Sequence, residues 1–304
     1  VPLIELHGLT KQYPRVRALD SLDLTLDAGV IGLVGANGAG KSTLLKILLG
    51  LLPATEGSAR VLDMDVHIQG REIRNLVGYM PEHDCLPPDL SATEFVTHLG
   101  EISGLPRPAA RERTAETLRH VGLFEERYRE MGSYSTGMKQ RVKLAQAIVH
   151  DPRLIFLDEP TNGLDPAGRE EMLDLVRRTG QEFGIAVLMS SHLLGEIERV
   201  CDWLMVIDEG KLKKSGAVAE FTQTLGALEV EVEGDAATLV KALRERGFDA
   251  RGGGTLAYVA LQEAEPYDAI RDCLVEMEMG LVRLEQRRQS LEDIFRPEDS
   301  PTND

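Results

Sequence analysis

GANGAGKST, residues 35–43, decides how the rest of the chain is read. Its first eight letters satisfy G-x-x-x-x-G-K-[ST], a pattern that carries weight only between a strand and a helix. Both flanks comply: VIGLV (30–34) is a short apolar run, and KSTLLKILLGLL (41–52) repeats its apolar positions at helical spacing. Strand, small-residue loop and helix make an α/β opening whose loop can cradle phosphate. Gly35, Gly38 and Gly40 put no side chain in the way, so a phosphate-binding set of Gly35, Asn37, Gly38, Ala39, Gly40, Lys41, Ser42 and Thr43 is expected. In it Lys41 supplies a point charge at the β and γ oxygens and Ser42 a hydroxyl for Mg²⁺. The competing reading is a glycine-rich turn capping an ordinary helix.

A P-loop metal wants an acid at the end of an apolar strand. LIFLDEP (154–160) supplies two, Asp158 and Glu159. Asp158 is expected to hold Mg²⁺ through water, and Glu159 to polarise the attacking water as general base. Two acids after a buried strand can also simply mark re-entry into solvent. A second anion seat is unexpected: in YSTGMKQR (134–141), Ser135, Thr136 and Gly137 precede a helix-like run and present an N-cap and a positive dipole end.

Strand character returns in IAVLMSS (185–191) and WLMVID (203–208), with DEGK (208–211) as a hairpin turn, so a mostly parallel sheet is predicted. Residues 84–150 read as a helical insert, whose SATE (91–94) is a capping box. After residue 216 the order becomes strand (228–233), helix (235–247), a short extended piece near 248–251, a GGG turn (252–254), strand (255–261), helix (266–278) and strand (281–287). That βαββαβ order predicts a small ferredoxin-like α+β domain over 217–304 behind a first domain of 1–216, with a frayed polar end.

The 304 residues are 42% hydrophobic with a net charge of −16, ample for two cores and unsuited to a nucleic-acid partner. Residues 217–304 carry 19 acidic against 9 basic side chains, so most of that excess lies in the second domain. LLKILLGLL (44–52) is too short and too interrupted to span a bilayer, the start lacks a secretory layout, and Cys85, Cys201 and Cys273 show no paired spacing. A reducing cytoplasm is the expected compartment.

Taken together, GANGAGKST, YSTGMKQR, LIFLDEP, GLD (163–165) and SSH (190–192) come in the order of an ATP-binding cassette (ABC) ATPase, and the chain resembles that family over residues 3–216. The resemblance implies a P-loop NTPase (RecA-like) core with a helical insert. It also implies Mg²⁺-dependent ATP hydrolysis by a head-to-tail homodimer. Ser135, Thr136, Gly137 and Gln140 would then be the signature motif acting on the partner's ATP, Asp165 the D-loop acid, His192 the switch histidine and Tyr13 the aromatic stacked on adenine. Thr136 departs from the family's glycine. Glu82, in GYMPEHD (78–84), stands where the family keeps its Q-loop glutamine and would be a metal ligand with an added charge.

GYMPE, GMKQR and a C-terminal SLEDIF (290–295) are similar to the detached ATP-binding subunits of bacterial ABC-2-type exporters. Such a subunit docks on a separate membrane permease, peripheral on the cytoplasmic face of the membrane. Leu86, Leu90 and Phe95 would line the docking groove or, by the weightier reading, form the insert's own core. The rival function is a soluble mechanochemical ABC ATPase acting on ribosomes or DNA; a further option makes the acidic domain a regulatory or dimer-stabilising module.

Overall fold

The computed structural model describes residues 2–27, 29–221, 224–260 and 266–288, and divides the chain into two compact units, Val1–Val218 and Ala219–Asp304. The first unit opens with β1 (Ile4–Gln12), β2 (Arg17–Leu26), β3 (Val30–Val34) and α1 (Lys41–Leu48). Next come β4 (Glu56–Val61), β5 (Met64–Asp65), α2 (Gly70–Leu76) and β6 (Val77–Met80). The insert holds α3 (Ala92–Ile102), α4 (Arg107–His120), a single 3₁₀ turn (Met131–Ser133) and α5 (Thr136–Ile148). The unit ends with β7 (Leu154–Asp158), α6 (Pro166–Phe183), β8 (Ala186–Ser191), α7 (Leu194–Val200), β9 (Trp203–Asp208) and β10 (Lys211–Ala217).

Six strands form one sheet in the order β10-β9-β3-β8-β7-β6, parallel except for the β9–β10 hairpin. All residues of β3 and β7 are buried, as strands covered on both faces require. The hairpin turns through Glu209 and Gly210, both with positive φ, the two-residue turn that suits right-twisted strands. A second, antiparallel sheet in the order β2-β1-β4-β5 lies across α1. Leu44, Leu45, Ile47 and Leu48 of α1 share one core with Leu6, Leu9, Leu19 and Leu22 of that sheet and with Ile31, Phe156 and Leu188 of the parallel one. This two-sided burial anchors the helix that begins at the P-loop.

The helix expected over 41–52 stops at Leu48. Gly50 is left-handed (φ 64°) and its N–H bonds Ile47 O at 2.8 Å, while Leu51 N–H returns to Lys46 O at 2.9 Å, so glycine closes the helix before the apolar run is spent. The capping box forms as read: Glu94 N–H donates to Ser91 Oγ, and Ser91 N–H to Glu94 Oε2 at 2.9 Å. The core of the insert is built from Ala92, Val96, Ala110, Leu118, Val121 and Met131. Leu90 is exposed and Leu86 and Phe95 are only half-buried, so the reading of these three as insert core is corrected. Helix α5 belongs to insert and core at once, because a Cβ on Gly78 of β6 would sit 1.8 Å from Ala147 O.

A short helix α8 (Val218–Phe221) starts at the last residue of the first unit, and the second unit holds β11 (Thr224–Val232), α9 (Ala236–Glu245), β12 (Ala250–Gly253), β13 (Leu256–Ala260), α10 (Tyr267–Glu276) and β14 (Leu281–Arg288). The antiparallel sheet order β12-β13-β11-β14 with two helices is the ferredoxin-like arrangement. Its core joins Leu228, Val230 and Val259 to Leu239, Leu243, Ile270 and Cys273. The expected GGG turn is corrected: Gly252 and Gly253 belong to β12. Only glycine fits at 252, where φ is 146° and a Cβ would lie 2.2 Å from Leu256 O. SLEDIF and the polar end fall outside the described residues.

Candidate functional site

The P-loop is held by contacts the motif alone does not reveal. A Cβ on Gly35 would meet Ile207 O at 2.3 Å, and one on left-handed Gly40 would meet Ala18 O at 2.4 Å, so these glycines let the loop lie flat on β9 and β2. Gly38 differs, having positive φ and open space around it. Ala39 was expected among the phosphate ligands; its methyl instead packs into the core and its N–H bonds Ala36 O at 3.1 Å. The first intrahelical bond of α1 is Leu44 N–H to Gly40 O, which leaves the N–H groups of Lys41, Ser42 and Thr43 facing the helix mouth.

A cleft of about 310 Å³ opens there, lined by Ala18, Asn37, Gly38, Lys41, Ser42 and Thr43 of the loop side and by Glu82 and Glu159 opposite. Lys41 is buried, its Nζ donating to Gly35 O at 2.6 Å and lying 3.2 Å from Glu159 Oε1. His192 Nδ1 sits 2.8 Å from the other Glu159 oxygen. The Glu159 carboxylate is thus bracketed by a cation and an imidazole. Its backbone is left-handed (φ 50°), a strained conformation for a non-glycine residue that aims the side chain away from the strand line and into the cleft. One residue earlier, Asp158 Oδ1 stands 3.5 Å from Ser42 Oγ, so helix start and strand end meet as the metal reading needs.

The second anion seat is elsewhere. Ser135 caps α5, its Oγ accepting from Met138 N–H at 3.3 Å; Ser135 and Thr136 are exposed, and Gly137 faces Leu164. None of these three lines the P-loop cleft. Gln140 is buried and donates to Asn162 O at 2.9 Å, a bond internal to this chain. Asp165 is exposed and caps α6 by accepting from Gly168 N–H at 3.2 Å. Tyr13 is exposed, under Lys11 Nζ at 5.4 Å, and is not among the cleft's lining residues.

The family comparison matches residues 19–162 to the ABC transporter family. YxlF of Bacillus subtilis (strain 168), named an uncharacterized ABC transporter ATP-binding protein, is 32% identical over 303 residues, 96% of this chain and 98% of its own length. The chain belongs to the family of ABC transporter ATP-binding proteins. The daunorubicin/doxorubicin resistance ATP-binding protein DrrA of Streptomyces peucetius is 38% identical over 74% of this chain and 68% of its own. Among solved structures, dimeric MJ0796, described as a bacterial ABC transporter cassette, superposes with a TM-score of 0.65 at 25% identity over 71% of this chain and 98% of the other.

This ABC ATPase carries site residues that sequence reading missed. Ser190 Oγ donates to Asp158 Oδ1 at 2.8 Å and accepts from Glu159 N–H at 2.9 Å, so one buried hydroxyl fixes both acids. The parallel register that pairs Asp158 with Ser190 makes the bridge, and SSH displayed the residue without its partner. Tyr79, half-buried beside Asp158, has its phenol pushed up to about 12 by burial and by that carboxylate, so it stays a donor. Asn162 Nδ2 donates to Glu82 Oε1 at 3.2 Å, which orients an acid that lines the cleft. Ser190→Ala should lower ATP hydrolysis roughly 10-fold by loosening Glu159. It should leave ATP affinity within about threefold, read by phosphate release and nucleotide titration.

Proposed function

We propose that this chain is the ATP-hydrolysing engine of an exporter, working as a head-to-tail homodimer on a separate membrane permease at the cytoplasmic face. The observation that carries the reading is the separation of the two anion seats: Ser135–Gly137 stand outside the cleft that holds Lys41 and Glu159, so one copy's signature serves the other's nucleotide. The dimeric neighbour and the resistance function in DrrA's name support dimerisation and export. Among the described residues no helix is long and apolar enough to cross a membrane, which suits a subunit that borrows its transmembrane part. The net charge of −16 weighs against the ribosome or DNA alternative.

The mechanism follows from the charges already in place. An entering γ-phosphate competes with Glu159 for Lys41 Nζ, and the N–H groups at the start of α1 donate to the remaining phosphate oxygens. Released from the lysine, Glu159 keeps His192 as its partner and turns its free oxygen to a water; it takes that water's proton as the water oxygen bonds to phosphorus and the bond to the β–γ bridging oxygen breaks, its electron pair leaving with ADP. His192 holds that carboxylate and reaches toward the γ-phosphate. Among the described residues no three His, Cys, Asp or Glu side chains converge on one metal point. Ser42 and Asp158 nevertheless offer paired hard oxygens, with Glu82 across the cleft, a partial set that fits Mg²⁺ sharing its shell with phosphates and water. When bound, Mg²⁺ would neutralise charge on the β and γ oxygens. Tyr13 is assigned to the adenine ring, and Asp165 to the opposed protomer.

Gly137→Glu tests the split site. A Cβ at 137 would meet Leu164 and Ser135 only at 3.8 and 4.0 Å, ordinary contact, so the variant should fold. ATP binding to the monomer should hold within about twofold. ATP-driven dimerisation should weaken roughly 30-fold, because a carboxylate then faces the partner's γ-phosphate. Equilibrium sedimentation with and without ATP reads both. Loss of monomer binding would contradict the assignment.

A further inference from the structure

One face of α5 grips the loop that carries Glu82. Lys139, Lys143 and Gln146 follow one another at i, i+4 and i+7, so they share a stripe. Each reaches a different member of the loop: Lys139 Nζ pairs with Asp84 Oδ2 at 2.8 Å, Lys143 Nζ donates to Glu82 O at 2.9 Å, and Gln146 Nε2 lies 3.9 Å from Cys85 Sγ. From the other side Asn162 holds the Glu82 carboxylate, and Gln140 of α5 holds Asn162. Lys143 is the anomaly among them. It is 3% exposed, and its hydrogen bond is to a backbone carbonyl instead of a carboxylate. A buried lysine is costly where an apolar side chain of equal length would pack.

We propose that Lys143, flanked by Lys139 and Gln146, is a clamp that makes loop 82–85 a rigid extension of the signature helix. Lys143 is a positioning residue. Through it, any displacement of α5 carries Glu82 with it, so the seat offered to the partner's nucleotide and the acid facing the chain's own nucleotide move together. The effect on hydrolysis rests on the reading of Glu82 as a residue that faces the nucleotide; the clamp itself does not.

The native thiols allow the test in the full chain without nucleotide. Cys85 is exposed whereas Cys201 and Cys273 are buried, so a nitroxide reagent labels the loop selectively. In Lys143→Met, whose side chain has similar volume, the mobile fraction of the Cys85 label should rise at least about threefold. The kcat for ATP should fall roughly 10-fold with KM within about twofold, the split expected when positioning and not binding is lost. Lys139→Ala, at a half-buried position that tolerates truncation, should free the label about twofold and decides the matter alone if Lys143→Met does not fold. Unchanged mobility in both variants overturns the clamp, as does equal labelling of all three cysteines in Lys143→Met, which would make Lys143 a residue of the fold only. A freed label with unchanged kcat upholds the clamp and removes Glu82 from the chemistry.

Discussion

Glu159→Gln is expected to reduce steady-state ATP hydrolysis by roughly 100- to 10,000-fold, the range that a positioned general base supplies, while ATP binding survives. The amide preserves shape and can still bond His192, so the left-handed backbone at 159 and the strand behind it should stay as they are. What it loses is the proton-accepting charge and the ion pair with Lys41, in which both side chains are only 7% exposed. Lys41 keeps its bond to Gly35 O and becomes freer for phosphate, so affinity for ATP should hold or tighten. With hydrolysis blocked, the closed dimer should persist, and gel filtration in ATP should show doubled mass for this variant and monomer when ADP replaces ATP. A variant that hydrolyses ATP at the wild-type rate removes Glu159 from the mechanism.

Lys41→Ala should act on the other half of the same pair. Charge-assisted hydrogen bonds contribute about 1.5–3 kcal/mol each, so the loss of Nζ should weaken ATP binding roughly 10- to 150-fold. It also leaves Glu159 buried without its cation, and breaking a buried pair from one side costs about 3–5 kcal/mol before relaxation. The single variant should therefore melt below wild type, and adding Glu159→Gln should raise the melting temperature again, because the orphaned charge is gone. That non-additivity is the diagnostic result. Additive losses in the double variant would mean that Lys41 and Glu159 do not feel each other, and unchanged ATP affinity in Lys41→Ala would remove the P-loop as the nucleotide seat.

Both predictions use a contact between residues 118 positions apart in a chain whose motifs were readable one at a time. The strands around the site were legible because LIFLD and WLMVID are unbroken apolar runs that end on acids, and they occupy β7 and β9 as read. The capping box was equally local, its two bonds closing within four residues. The misreadings share a cause. The apolar letters of KSTLLKILLGLL continue past the point where Gly50 turns the backbone left-handed, and GGG looks like a turn until strand pairing with β13 recruits two of its residues. In each case backbone conformation, which side-chain pattern does not encode, took precedence.

Ser190, Tyr79 and Asn162 were invisible for a different reason: nothing in a hydroxyl, a phenol or an amide marks it as a partner until a neighbouring strand or loop arrives. The same holds for the stripe on α5, where nothing in the order of residues shows that Lys143 is buried.

The amino-acid order alone determined the glycine-rich loop, the buried acid-tipped strand, the helix capped by Ser135 and the family, because each depends on residues close enough along the chain to shape one turn or one strand. Only the tertiary structure decided which atoms touch: Lys41 against Glu159, Ser190 under both acids, Lys143 beneath the Glu82 loop. Those pairings depend on helix packing and on sheet register, in which a one-residue slip of a strand turns its side chains to the other face.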